Sequence, residues 1–457
     1  MGMPRIAMYL KADMNLETTE MCTRTVLKPI YASPELKAVS PSPDIRFQCV
    51  RVEAADTEVR RVPGLGFTRV KVGPDLWKDA VRWKWSPAQK LVGIRKQGQA
   101  PIHGNMGTQE ALAEFVRDSF AKPAERNILA LWGHGGASLV ALEIVRPTTG
   151  LSGNAKLASI PQKPPVTNAL KSKKLATAPH LFQAVHDLVE ASNQVLGAGP
   201  GKLSLGQVAA GLQGGLQGKR LDSLLLCECQ MASLEVAYEY REHARYLIGS
   251  EELLSAAEWP HAGWLTYCAA NPGQPTNVLM AELLKQFEVL AKTAKGGLDT
   301  YTLSCIDLDQ VDALAAKLDS LVTAFGAATD KEWRGALDAR KGMREFGYMP
   351  APVLTVDLIS FLSNLSSRLP KTAPTAVAAN ACLAAANKTI AGNKAGQSNA
   401  TGLSIYFPVS PGDAAIADPL RTYWPQSGNA PRFSREHRWV KFLADFQDAG
   451  RRLKYVF

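Results

Sequence analysis

The stretch LDSLLLCECQMASLEVAYEYREHARY, residues 221–246, constrains this chain more than any other, because it joins an apolar run to an amphipathic segment with two cysteines at the junction. Leu224, Leu225 and Leu226 form the short, uninterrupted apolar run that a parallel strand covered on both faces requires. From Met231 to Tyr246 apolar residues recur at helical spacing. Cys229 is therefore expected where a strand ends and a helix begins. There the positive end of the helix dipole favours a thiolate, the form of cysteine that attacks carbonyl carbon.

A second strand end lies upstream. Ile128 to Trp132 reads as another buried strand, and it runs into Gly133-His134-Gly135-Gly136, a base beside a flexible turn. Two adjacent parallel strands ending in His134 and Cys229 would bring both side chains to the carboxyl edge of one sheet, where open α/β folds build their sites. Either residue alone also fits a core or capping role. The pair at two strand ends is what points to a nucleophile and its base.

The residues around this pair resemble the clostripain family of cysteine peptidases, which have the caspase-like fold. That family's pattern at the nucleophile is Asp-Ala-Cys-x-Met, then a Glu-Val-Ala-Tyr helix and a Ser-Glu-Glu turn. Here stand Cys227-Glu228-Cys229-Gln230-Met231, Glu235-Val236-Ala237-Tyr238 and Ser250-Glu251-Glu252. Further similar elements are IAMYLKADMNLE at 6–17, NMGTQEALAEFV at 105–116, TLSCIDLDQVDALAAKL at 302–318, GLSIYFP at 402–408 and RWVKFLADF at 438–446. The resemblance implies an α/β, caspase-like (caspase-hemoglobinase) mainly parallel sheet flanked by helices. It also implies a His134–Cys229 dyad acting on a protein or peptide substrate, self-processing between the His and Cys strands, and a possible dependence on calcium. Cys229 would attack a peptide carbonyl, His134 would protonate the leaving amine, and the amides of Gly135 and Cys229 are the candidate oxyanion donors.

The departure from the family pattern concerns specificity. Two residues before the nucleophile, where the family carries an Asp that accepts Arg or Lys, this chain has Cys227. A neutral thiol does not pair with a cation, so either another carboxylate serves or the preference differs. Glu258, in the stretch that would border the pocket, is the candidate substrate-binding acid; it also fits an ordinary solvated loop. Between Arg146 and Pro179 the periodicity gives way to prolines, glycines and the cluster Lys171-Ser172-Lys173-Lys174. That composition fits either a plain surface insertion or an activation loop.

The chain of 457 residues is long enough for a caspase-like core over 1–270 and a helical portion over 271–457, closed by a strand at 402–407 and a final helix. Helices are expected at 108–121, 180–196, 276–292, 307–326, 331–346, 353–369 and 436–452, with a small-residue helix over 376–395. The seven cysteines show no framework of disulfides, and no CxxC, HExxH or His-rich run supports a metal or other cofactor. No window approaches the ~18 uninterrupted apolar residues of a membrane span. The opening MGMPRIAMYL lacks the features of a signal peptide, so a cytoplasmic location is expected. The Gly-rich segment before residue 221 fails the phosphate-loop pattern, because Gly218-Lys219 is followed by Arg220.

The net charge of +10 is concentrated in residues 51–100, where Trp83 and Trp85 interleave with Arg82, Lys84, Lys90, Arg95 and Lys96. This segment reads either as a basic docking surface or as a solvated strand with half-buried tryptophans. Nucleic acid is not the expected partner. An inactive scaffold that binds a regulatory protein through this region is the alternative to an enzyme, and the intact His134 and Cys229 argue against it.

Overall fold

The computed structural model describes residues 3–12, 22–51, 57–62, 66–71, 80–91, 101–102, 106–122, 124–133, 203–254, 259–293, 301–346, 355–396, 399–409, 423 and 430–457. Thirteen strands are described. They are β1 (Arg5–Ala12), β2 (Asp44–Arg51), β3 (Thr57–Val62), β4 (Gly66–Lys71), β5 (Ala80–Lys84), β6 (Pro101–Ile102), β7 (Asn127–Trp132), β8 (Leu221–Cys227), β9 (Ala244–Gly249), β10 (Thr302–Asp307), β11 (Thr355–Asp357), β12 (Ile390–Ala395) and β13 (Ser404–Tyr406).

Nine of them make one sheet in the order β12-β10-β9-β8-β7-β1-β2-β5-β6. The central five, β9 to β2, are parallel, and antiparallel strands close each edge. The chain steps outward from β1 to β2 and then returns to the other side of β1 to lay down β7, β8 and β9. The order therefore reverses between β1 and β7, one strand away from the β7–β8 exit, and crevices at such reversals hold the sites of open α/β sheets.

Alternation along the buried strands divides the core in two. Leu129, Leu131, Leu224 and Leu226 face an apolar cluster built with the helices Gln109–Phe120, Leu205–Leu216, Leu234–Tyr240 and Val311–Phe325. Ile128, Ala130, Trp132, Leu225 and Cys227 face a second cluster, built with Lys28–Ala32, His261–Ala270 and Thr276–Thr293. Strands buried on both faces have no polar side to alternate, which is why the sequence reads as unbroken apolar runs.

Several expected boundaries move. The segment 231–246 is not one helix: a helix runs only from Leu234 to Tyr240, and Ala244–Gly249 becomes β9, parallel to β8. A helix of seven residues within the 228–243 connection makes the crossover, and Tyr246 and Ile248 pack in the second cluster. The stretch 247–264 is accordingly taken up in part by β9 and by the helix His261–Ala270. The small-residue helix Pro374–Thr389 ends at Thr389-Ile390, and the next six residues pair with β10 as an edge strand. The segment 353–369 splits into β11 and the helix Leu358–Arg368, whose N-cap is Asp357. β13 pairs with β11 outside the main sheet, as does the hairpin β3–β4. The 180–196 helix and the 146–179 loop lie outside the described residues.

Trp83 and Trp85 are buried in the second cluster, and Trp83 stacks on Phe47 with ring centroids 5.1 Å apart. Arg82 is held by Gln48, Glu114 and Asp118. Of the two readings of this segment, the docking surface loses its aromatic half, since both tryptophans are core, and Arg82 is paired with its neighbours. Arg95 and Lys96 lie outside the described residues. No described helix is long and apolar enough to cross a membrane.

Candidate active site

β7 and β8 are neighbours in register Ile128↔Ser223 through Trp132↔Cys227, so both run out at the same edge of the sheet. Gly133 is the last described residue beyond β7. His134, Gly135 and Glu258 lie outside the described residues. Cys227 and Cys229 are described, and the two thiols sit in different settings.

Cys227 is buried in the second cluster, beside Trp132 on the neighbouring strand. Burial, with the charge of Glu228 adding to it, pushes its thiol well above the ordinary range. It is a neutral, apolar group and cannot balance a cation. Cys229 is the one cysteine of the seven that is not buried. Its sulfur accepts a hydrogen bond from the Leu254 amide at 3.3 Å, a donor a thiolate can use, and lies 3.7 Å from the Leu254 carbonyl oxygen.

A sharp turn presents this sulfur. Gln230 adopts φ of 57°, the left-handed region, which for a non-glycine residue marks a turn held in place by its surroundings. Three restraints do the holding. The Gln230 amide donates to the Glu252 carbonyl (3.1 Å), the Ala232 amide to the Ser250 carbonyl (2.9 Å), and the Ser404 amide to the Ala232 carbonyl (2.9 Å). Gly249, the last residue of β9, lies so close that an added Cβ would sit 2.9 Å from the Met231 carbonyl carbon. Cys229 is therefore not at a helix N-terminus, as expected from spacing. The helix begins at Leu234, capped by the Ser233 hydroxyl, and the thiol is served by the Leu254 amide instead.

The Ser250-Glu251-Glu252 turn is anchored in turn by the far side of the sheet. Thr302 of β10 accepts from the amides of Glu251 (2.9 Å) and Glu252 (3.1 Å) and shares a hydrogen bond with the Ser250 hydroxyl (2.7 Å). Glu252 binds Arg344 at 2.7 Å and accepts from the Leu253 amide. Glu251 accepts from the Gly402 amide at 2.9 Å, and its carboxyl is pushed well up, first by burial and then by the nearby charge of Asp357. Asp357 is itself occupied, accepting from the Ser360 and Thr401 amides and the Thr401 hydroxyl. Behind the helix, buried Glu235 accepts from the Tyr406 amide and the Tyr423 hydroxyl.

The roles of Thr302, Gly402, Asp357 and the Leu254 amide were not read from the sequence. One signal existed: Thr302 and Ser304 are polar positions in a strand that is buried from Thr302 to Ile306. Calcium finds no ligand set among the described residues. Glu251, Glu252 and Asp357 are acids at the turn, and each already has an oxygen serving a backbone amide, a hydroxyl or Arg344. No group of three or more His, Cys, Asp or Glu there could hold a metal ion. His261 is no spare base, since burial drives its imidazole down to about 4.

The clostripain family's sequence model matches residues 198–446, more than half of the chain. Among solved structures the chain is similar to an inactive zymogen C11 protease from Parabacteroides distasonis, at 16% identity over 98% of each chain with a TM-score of 0.51. It is also similar to iotapain, a secreted C11 cysteine protease from Bacteroides thetaiotaomicron, at 14% identity over 96% of this chain and 99% of that one, TM-score 0.52. A secreted C11 cysteine protease from Bacteroides thetaiotaomicron in complex with an irreversible peptide inhibitor gives 14% identity, 93% and 97% coverage, and 0.53. No curated protein matches the chain. A caspase-like sheet with a cysteine-bearing turn at its carboxyl edge defines the class, a cysteine peptidase. The chain belongs to the clostripain family.

Proposed function

We propose that the chain is a cysteine endopeptidase working through a Cys229–His134 dyad. The observation that carries this reading is the partly exposed Cys229, its sulfur bonded by the Leu254 amide, at the exit of two parallel strands whose register runs level to Trp132↔Cys227. His134 follows the first of these strands by one residue after Gly133. In the forward step the thiolate adds to a peptide carbonyl carbon, and the carbonyl electrons move to oxygen. The Cys229 and Gly135 amides are the donors we assign to that oxyanion. Collapse expels the amine, which takes its proton from the His134 imidazolium and leaves a thioester. Water, losing a proton to His134, then adds to the thioester, releases the acid and restores the thiol. Replacing Cys229 or His134 by Ala and measuring peptide hydrolysis tests the assignment.

Substrate preference follows from the neutrality of Cys227. Cleavage after Arg or Lys requires an acid elsewhere, and Glu258 is our assignment. The lysine cluster within residues 146–179 then gives the enzyme a sequence of its own to cut, so we assign it synthesis as a self-processing precursor. Mass spectrometry of active protein and of Cys229→Ala, searching for a cut within 146–179, tests that step.

A further inference from the structure

Glu228 has no part in the chemistry above, and the clostripain pattern carries Ala at its position. Its surroundings give it another task. The β7–β8 register ends at Trp132↔Cys227, so the next residue on each strand is Gly133 and Glu228. A Cβ built on Gly133 would lie 3.7 Å from Glu228 Oε1, which places the carboxyl group against the backbone of the residue that precedes His134. Alternation along β8 sends Leu224 and Leu226 to the first cluster, and Glu228 follows them to the side of Tyr240, whose phenol feels its charge. Cys229 faces the other way, toward Leu254 and the second cluster. Glu228 thus reaches across to the neighbouring strand and not to the sulfur.

We propose that Glu228 is a positioning residue for the dyad: its side chain bridges the end of β8 to the end of β7 at Gly133 and fixes the spacing between the nucleophile's strand and the strand leading into His134. The inference rests on Cys229 and His134 being the reacting pair. Among the described residues, the charged and titratable groups that feel Glu228 or act on it are Lys11 of β1, Cys227 of its own strand, and Tyr240 of the helix Leu234–Tyr240. Burial, offset in part by Lys11, holds the Glu228 carboxyl up at about 8. At neutral pH it is a neutral acid with an O–H to donate. Above that it is an acceptor-only anion one residue from the nucleophile, and a negative charge there opposes the thiolate.

The test compares the full chain with Glu228→Gln, Glu228→Ala and Lys11→Met by two readouts, peptide hydrolysis and the rate at which iodoacetamide alkylates Cys229 across the neutral and alkaline range. Because the other six cysteines are buried, the alkylation reports on Cys229. Glu228→Ala is expected to lower kcat by ~10-fold or more with KM within ~3-fold, as for a loss of alignment, and Glu228→Gln to restore most of it at pH 7. Above about 8 the parent should be alkylated several-fold more slowly than Glu228→Gln, and Lys11→Met should move that divergence to higher pH. Superimposed alkylation profiles for parent and Glu228→Gln, with Glu228→Ala hydrolysing peptide like the parent, overturn the inference. A parent that hydrolyses no peptide while the profiles still diverge refutes the peptidase mechanism and leaves the position of Glu228 standing.

Discussion

Gly249→Ala tests whether the nucleophile's turn is aligned by close backbone packing. The added Cβ would meet the Met231 carbonyl carbon at 2.9 Å, the Met231 oxygen at 3.0 Å and the Ala232 nitrogen at 3.1 Å. All three are backbone atoms, so no side chain can swing aside, and each must retreat by about 0.5 Å to reach ordinary contact near 3.5 Å. Overpacking of this kind costs ~1–3 kcal/mol of stability. The same shift is applied two residues from Cys229, and misplacing reacting atoms by ~1 Å costs ~100-fold in rate, so a loss of ~10- to 100-fold in kcat/KM is expected. Gly215→Ala is the control. There the Cβ would fall 2.6 Å from Val116 Cβ and 2.7 Å from the Ala113 oxygen, in the packing of helix Leu205–Leu216 on Gln109–Phe120, away from the turn. Urea denaturation should show both variants destabilised, while peptide hydrolysis per folded molecule falls only in Gly249→Ala. Parental kcat/KM in Gly249→Ala, or an equal loss per folded molecule in both variants, would refute the argument.

The remaining expectations are shorter. Cys229→Ala and His134→Ala should each abolish peptide hydrolysis and leave the far-ultraviolet circular dichroism unchanged; appreciable activity in Cys229→Ala, or its loss in Cys227→Ala alone, would move the nucleophile. Glu258→Gln should depress cleavage after Arg and Lys by ~10- to 1,000-fold, equivalent to ~1.4–4 kcal/mol, and spare neutral substrates; a parent that prefers apolar residues in a peptide library would instead make Cys227 the floor of a neutral pocket. Glu251 is raised by burial and by Asp357, so it holds its proton longer folded than unfolded. Its contribution to stability is therefore complete below the ordinary carboxylate range and is lost as pH rises through the raised value. Glu251→Gln keeps an acceptor for Gly402 and removes the titration, so urea midpoints of parent and variant should diverge as pH rises, with the parent falling; parallel curves would contradict the assignment.

The strands were legible where burial is two-sided. Ile128–Trp132 and Leu224–Leu226 read as parallel strands because nothing polar interrupts them, and both are central strands of the sheet. Spacing failed where short elements change type without a polar break. Leu234–Tyr240 and Ala244–Gly249 share one apolar pattern, and only Arg241-Glu242-His243 between them marks the turn. Periodicity cannot separate a seven-residue helix plus a strand from one longer helix. The edge strand Ile390–Ala395 was hidden for the complementary reason: it is partly exposed and rich in Gly, Asn and Lys, so its strand character comes from pairing with β10 and not from its own residues.

At the site, sequence points to side chains able to react and is silent on residues that act through the backbone. Cys229 stands out as a thiol beside a strand. The Leu254 amide that bonds it has no signature, because any residue supplies an N–H. The same holds for the Glu252 and Ser250 carbonyls that fix Gln230 and Ala232. These carbonyls are brought there by Thr302, far along the chain, whose single hydroxyl gathers the Ser250, Glu251 and Glu252 corner. Orientation of Cys229 is thus set by the order β8-β9-β10 across the sheet. Residues 302 and 402–404, remote in sequence, support the turn as directly as those beside Cys229. Loss of the Thr302 hydroxyl alone would leave the buried Glu251 amide without its acceptor, at ~1–3 kcal/mol, leave the Glu252 amide with the Ser250 hydroxyl only, and loosen the corner that carries Leu254. A chemical motif in one segment singles out Cys229 as the proposed nucleophile, whereas its geometry is a property of the whole sheet edge.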